Sequence, residues 1–585
     1  MDCTRPIKTM VEAALGIIPF DVLLTNLKIV NVYTEEIIEG TLGIKDGKIA
    51  AVSPTHCNAK EIIDCNNKYA VPGFIDAHMH IETSHLNPTA WAELTIPHGT
   101  TAIFADPMML ANVSGEKGIG DFNKMIQDIP MHAYIQIPSR IPASENLETS
   151  GGELTPQRTG KLLIESNVAS LGEVNAGSVL SLQNSILEKM VYAKEHNKII
   201  NGHYPAPSWN GLNGLVASGV GDDHESISYE ELKQKLSLGL VVMVREGSME
   251  PNLEPLIQGV VADNLPTDNL IFCSDDKHPS DLLEHGHIDH SVKKAISLGL
   301  PPTTAIKMAT LQPAKYFGLD REIGSLTPGR WADILLCDNL EDMSITQVYH
   351  KGVLVAENGE IREQLLMDYE RYYHELCNSI VLPSELKPDN LGIKTENSSE
   401  KILAISVKQD QLIVSTLVDT LSSENGMLKA DTQKDILPIS VIERYGKSGN
   451  IGCGFIHGLQ LKKGAVGCSM AQESNNVVVA GCSYEDMHIA AKELEQIGGG
   501  MVVVLNGELA AVVKMPLAGI MCTCSAKEYI RQQQQLIETL EKLGCTNKSI
   551  FSHLSIATCT TIPKLGLSDY GLIDVDEGKL ISSML

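Results

Sequence analysis

Between residues 74 and 273 short apolar runs recur, each followed by a turn and a longer stretch with helical periodicity. The runs occupy 74–77, 101–105, 132–137, 168–174, 198–202, 216–220, 240–244 and 270–273. Strands that alternate with helices pair in parallel, because a parallel connection needs a long crossover and the helix supplies it. Eight such units predict a closed (β/α)8 barrel. The sixth run carries the weakest signal, since Ser218 and Gly219 interrupt it.

A chain of 585 residues is too long for the barrel alone. Residues 21–32 and 41–44 have strand character, and Asp46-Gly47 is a hairpin signal before 48–52. After the barrel, 332–336 and 348–355 are again strands, with Lys351-Gly352 as a turn. These two segments resemble each other and predict one small β-sandwich domain split across the barrel. Pro, Asn, Ser and charge at 383–400 suggest a linker. Beyond it, strands at 476–480 and 501–505 mix with helices at 485–496 and 527–543. The expected architecture is α/β. It comprises the front of the small domain (1–70), the barrel (71–320), the return (321–382), the linker (383–400) and a C-terminal α+β domain (401–585).

Where the barrel strands end, residues with metal affinity appear, and this architecture places its chemistry there. Asp76-Ala77-His78-Met79-His80 ends the first strand. Residues two apart on an extended segment point the same way, so His78 and His80 both face the mouth. Glu173 ends the fourth strand, His203 the fifth, His224 follows the sixth and Asp275 ends the eighth. Four imidazoles and two carboxylates on one rim suit two divalent first-row metals. Without thiolate, Fe(II), Mn(II) and Zn(II) all fit and affinity alone does not choose among them, with Mn(II) or Fe(II) the favoured expectation and Zn(II) a further option. Water held between two such ions has its pKa lowered towards ~7. A carboxylate touching that water can take its proton and return it to a leaving group, and Asp275 is placed for that task. Taken singly, each of these residues has an ordinary structural explanation; their joint occurrence at successive strand ends is what points to hydrolysis.

The pattern is similar to the adenine deaminase family of the amidohydrolase superfamily, nearly end to end. The resemblance rests on Val71-Pro72-Gly73-Phe74-Ile75-Asp76-Ala77-His78-Met79-His80, Leu171-Gly172-Glu173-Val174, Gly202-His203 and Asp223-His224-Glu225. Arg245-Glu246-Gly247-Ser248, Ser274-Asp275-Asp276-Lys277-His278-Pro279 and Pro328-Gly329-Arg330-Trp331-Ala332-Asp333 extend it. It implies hydrolytic deamination of adenine to hypoxanthine and ammonia, with Glu173 bridging the metals and Asp275 shuttling the proton. It also implies a role for Glu225 in protonating or orienting the purine ring. Arg245, Glu246, Ser248, Asp276 and His278 are expected to line the substrate, although Arg245–Glu246 also suits a structural ion pair. The alternatives are an amidohydrolase of another purine or cyclic amide, and a purine-binding paralogue without catalysis.

Two departures stand out. The family usually shows Asp-Pro-His-Glu after the second strand, whereas this chain has Asp106-Pro107-Met108-Met109. In the C-terminal unit it usually shows His-Asp-Ser-His-Asn, whereas this chain has Gln472-Glu473-Ser474-Asn475-Asn476. The paired loss predicts that the two loops meet over the barrel mouth as one subsite, absent or rebuilt here; the alternative is neutral divergence.

A net charge of −27 argues against partners with phosphate backbones or anionic lipid surfaces, so neither nucleic acid nor membrane is expected. The thirteen cysteines are scattered, and only Cys522 and Cys524 lie close together. With no signal-peptide layout, the expectation is a reduced cytoplasmic protein. The partner is then a small purine base, and the family resemblance implies a homo-oligomer.

Overall fold

The structure, a computed structural model, describes residues 4–144, 146–362, 369–408, 411–561 and 564–585. Eight parallel strands succeed one another: Phe74–Met79, Thr100–Ala105, His132–Pro138, Val168–Asn175, Ile199–His203, Asp222–Asp223, Val241–Arg245 and Leu270–Cys273. The first five form one hydrogen-bonded run and the last three another. Two joints close the circle. The Gly221 amide donates to the Ile200 carbonyl at 3.0 Å, joining the fifth strand to the sixth. The Asp275 amide donates to the His78 carbonyl and the His80 amide to the Asp275 carbonyl, both at 2.9 Å, joining the eighth to the first. The second joint matters most for function, because it places two of the expected metal ligands and the expected base on adjacent backbones.

The sixth strand is Asp222–Asp223 and not 216–220. Residues 216–218 instead finish the helix Trp209–Ser218, which buries Leu212 and Leu215, and Gly219 ends that helix at φ 99°. A short apolar run at a helix end has no period long enough to separate helix from strand. Gly219 supplies the left-handed conformation that a C-terminal helix cap requires.

Phe20–Asn31, Glu36–Lys45, Lys48–Val52, Ala59–Asp64 and Tyr69–Pro72 join Ile334–Cys337, Ile345–His350, Val353–Glu357 and Glu360–Ile361 in one nine-stranded sheet. Its seam is the antiparallel pairing of Tyr69–Pro72 with Ile334–Cys337, so the chain's two β segments complete a single unit on either side of the barrel. Asp46 and Gly47 both take positive φ, 48° and 75°, as a tight hairpin twisting with its strands demands.

The C-terminal unit builds a second nine-stranded sheet, from Ser399–Lys408 to Glu508–Lys514. The helix Tyr484–Ile497 covers it, setting Met487, Ala490, Ala491 and Leu494 against Val477, Val479, Val502 and Val504. Segment 383–400, expected as a linker, packs Leu386 and Leu391 into that same core. The unit sits on the mouth of the barrel. The Cys522 amide donates to the His85 carbonyl at 2.8 Å, and Asn476 Nδ2 to the Thr149 carbonyl at 2.9 Å. Among the described residues no helix is long and apolar enough to cross a membrane.

Candidate functional site

Strand alternation turns His78 and His80 into the barrel mouth, and hydrogen bonds on their far side choose which nitrogen faces it. His78 Nδ1 donates to Gln136 Oε1 at 2.6 Å, and Gln136 Nε2 donates in turn to the Ala77 carbonyl at 3.1 Å. His80 Nδ1 donates to the Asp106 carbonyl at 2.8 Å. With Nδ1 of each ring committed to these acceptors, it is Nε2 that faces inward, the nitrogen a metal ion would take once its proton is displaced.

The inward atoms converge on one carboxylate oxygen. Glu173 Oε1 lies 3.2 Å from His78 Nε2, 3.0 Å from His80 Nε2, 3.5 Å from His224 Nε2 and 4.0 Å from His203 Nδ1. Asp275 Oδ1 stands 3.3 Å from His78 Nε2 and 3.6 Å from His80 Nε2. Donor atoms of His78, His80, Glu173 and Asp275 all lie within 4.8 Å of one another, as do those of Glu173, His203 and His224. The two sets share Glu173. Two ions, one in each set, would thus have a common carboxylate between them, and every donor is nitrogen or oxygen.

Two further observations fit metal ions. His203 Nδ1 and His224 Nε2 are buried without a hydrogen-bond partner, a costly arrangement unless they bind something. The backbones of Glu173 (φ 33°) and Asp275 (φ 62°) sit in the left-handed region, which costs each non-glycine residue about 1–3 kcal/mol and is characteristic of functional sites.

The electrostatics also call for cations. Burial pushes the His80 imidazole down, but the Glu173 carboxylate beside it outweighs burial and lifts it to about 10. His224 is raised to about 9 against burial and the neighbouring His78, through Glu173 and Glu225. Burial would raise Glu173 and Asp275, yet the surrounding imidazoles, with Arg245 acting on Asp275, hold both well below the usual carboxylate range. Protons or metal ions can meet this demand, and metal uptake must displace the protons.

Around this set the remaining rim residues divide. Arg245 Nη1 donates to Glu225 Oε1 at 2.7 Å and to Asp275 Oδ2 at 2.8 Å, tying together the two carboxylates expected to handle protons. Glu225 Oε1 is also 3.1 Å from His224 Nε2 and 3.5 Å from His203 Nδ1. Burial would raise Glu225, but those imidazoles and the guanidinium keep it below the ordinary range, hence ionised.

Glu246 lies elsewhere. Its carboxylate pairs with Lys294 at 2.6 Å and His290 at 3.5 Å, so the Arg245–Glu246 ion pair is not formed and Glu246 braces the outer helix layer. The reason is strand alternation, which turns neighbours Arg245 and Glu246 to opposite sides. Ser248 Oγ accepts from the His278 amide at 2.8 Å, and an Asp276 oxygen accepts from the Met249 amide at 3.0 Å. These contacts fix the loops after the seventh and eighth strands against each other. Burial, then the neighbouring Asp275, pushes Asp276 up to about 7.

The two departing loops touch. Asn475 Nδ2 donates to the Met109 carbonyl at 3.4 Å, while the Gln472 amide turns away to Thr558 Oγ1 at 2.8 Å. Arg140, which the sequence did not single out, enters the same space: its Nη2 donates to Glu173 Oε2 at 3.0 Å. The sequence signal is its place just past the end of the third strand, the same kind of position that the candidate metal-ligating residues occupy. Gln136 was equally visible as a polar residue inside an apolar strand.

The amidohydrolase family model matches residues 69–355, and the adenine deaminase C-terminal domain model matches residues 411–579. An adenine deaminase of Desulforamulus reducens is 41% identical over 575 residues, covering 98% of this chain and 97% of that protein. One from Dehalococcoides mccartyi is 38% identical over 574 residues, covering 98% of each. One from Desulfatibacillum aliphaticivorans is 35% identical over 587 residues, covering 98% of this chain and 99% of its own.

Proposed function

This chain belongs to the adenine deaminase family, and from that premise we propose that it hydrolyses adenine to hypoxanthine and ammonia on the barrel rim. The observation that carries the reading is the convergence of His78, His80, His203 and His224 on Glu173 and Asp275. Two divalent ions bound there would act as Lewis acids and bring the pKa of water towards ~7.

The chain's own residues account for the rest. Asp275 has one oxygen turned to His78 and His80 and the other held by Arg245, so its free edge stays at the cluster. It takes one proton of the attacking water as oxygen bonds to C6 and the C6=N1 electron pair moves to N1, then delivers that proton to the amino group as the C6–N bond breaks. The water's second proton passes from the new C6 hydroxyl to N1, leaving the carbonyl of hypoxanthine. Ionised Glu225, fixed by the same guanidinium, accepts a hydrogen bond from a purine N–H and orients the ring. Met108 and Met109 border the mouth with adaptable apolar surface suited to a neutral heterocycle.

Mn(II) or Fe(II) is the proposed pair, with Zn(II) compatible with the same nitrogen and oxygen donors. A cytoplasmic homo-oligomer acting on the free base is the proposed working form.

The test is an assay of ammonia release from a panel of purines and cyclic amides after Mn(II) or Fe(II) loading. Adenine is expected to turn over fastest, and Asp275→Asn is expected to lower kcat by about 10³-fold. Release from another ring but not from adenine would transfer the reading to a different amidohydrolase substrate. Equal rates in wild type and Asp275→Asn would sink the proton-shuttle role.

A further inference from the structure

Glu173 divides its two oxygens between different neighbours. Oε1 faces the imidazoles, at 3.0 Å from His80, 3.2 Å from His78 and 3.5 Å from His224. Oε2 accepts from Arg140 Nη2 at 3.0 Å. A guanidinium there keeps the carboxylate from rotating, but it also sets a permanent cation beside the positions where two divalent ions would bind. Alone, that cation would oppose them.

The opposing charge comes from the C-terminal unit. Arg140 Nη1 lies 3.5 Å from Glu473 Oε1, an oxygen that also accepts from Thr561 Oγ1 at 2.9 Å. The Glu473 side chain is 4% exposed, its second oxygen has no partner, and its backbone is held at φ 27°. A buried carboxylate on a strained backbone, aimed at one guanidinium, is expensive unless its charge is needed.

We propose that Glu473 and Arg140 are positioning residues through which the C-terminal unit completes the barrel's metal centre. Arg140 orients Glu173 with Oε1 towards the imidazoles, and Glu473 cancels the charge that this requires. The inference rests on the metal-binding reading given above and goes beyond it, because it assigns a task to the loop in which this chain departs from its family.

The test uses full-length, metal-stripped protein titrated with Mn(II) by calorimetry, with the thermal midpoint of the metal-free protein as a folding control. Glu473→Gln is expected to weaken Mn(II) binding about ten-fold without moving the metal-free midpoint, since it unmasks the guanidinium. The double variant Arg140→Met with Glu473→Gln is expected to bind more tightly than Glu473→Gln alone, because the unmasked charge has gone. Arg140→Met, or Arg140→Lys should the first not fold, is expected to alter the exchange-coupled electron paramagnetic resonance signal of the Mn(II)-loaded protein. Wild-type affinity in Glu473→Gln, a double variant no tighter than the single, or an unchanged coupled signal would each overturn the proposal. Should wild type bind Mn(II) but not deaminate adenine, the substrate reading fails and the positioning result stands. Failure of wild type to bind Mn(II) would overturn both.

Discussion

The rim cluster and a second cluster at the floor of the barrel draw on the same residue types. At the floor, His132 opens the third strand and Asp333 and His350 come from the small sheet. His132 Nε2 lies 2.9 Å from Asp333 Oδ2 and His350 Nδ1 lies 3.0 Å from Asp333 Oδ1. The Lys351 amide also donates to Asp333 Oδ1, at 2.9 Å. Each floor imidazole thus has its own carboxylate oxygen. At the rim, four imidazoles crowd mainly onto one oxygen of Glu173. Composition does not separate the two clusters; the balance of donors and acceptors does. One imidazole per carboxylate oxygen suits a link between two domains, while four imidazoles around one oxygen suit a shared cation site.

Metal removal is the strongest way to break this comparison. Chelation is expected to abolish turnover and to take two ions per chain, with none coming from the floor. Elemental analysis of His132→Gln would check it, because unchanged metal content is expected there. A loss of one ion in that variant would erase the distinction.

Substitution of the two aspartates comes next. Asp333→Asn is expected to cost about 3 kcal/mol in denaturant unfolding, since it disrupts the buried carboxylate that His132, His350 and the Lys351 amide share, while metal stoichiometry holds. Asp275→Asn should show the reverse pattern, with stability changed less and kcat lost.

Acidity separates the clusters more gently. Burial opposes it, but His132 and His350 hold Asp333 below the usual carboxylate range. A depressed folded-state pKa contributes stability above the unfolded value of ~4 and loses it as pH falls through the folded value. Unfolding free energy should therefore decline below pH ~4, and less steeply in Asp333→Asn. At the rim, protons and metals compete for imidazoles raised to about 10 at His80 and about 9 at His224. Mn(II) affinity should accordingly rise with pH through neutrality, with proton release visible in buffers of different ionisation enthalpy. A flat profile would mean that the rim imidazoles are already deprotonated.

Much of the rim was legible because it obeys local rules. His78-Met79-His80 needs only strand alternation, and Glu173, His203, His224 and Asp275 need only their place at strand ends. The turns at Asp46-Gly47 and Lys351-Gly352 follow from the positive φ their positions require. The sixth strand was misplaced because two residues carry no period, and the helix end before it imitated one.

The candidate ligands and the alternation of strand and helix were determined by the sequence itself, since each follows from the local pattern at its own strand end. Charge pairing was decided only by tertiary structure. Arg245 has Glu246 beside it in sequence, yet it pairs with Glu225 and Asp275 because barrel closure aligns the sixth, seventh and eighth strand ends on one rim. Arg140 meets Glu473, and Met109 meets Asn475, because the C-terminal sheet docks over the mouth. Hydrogen-bond and Coulomb energies depend on distance in space, and a strand pattern does not encode which far segment will supply the partner.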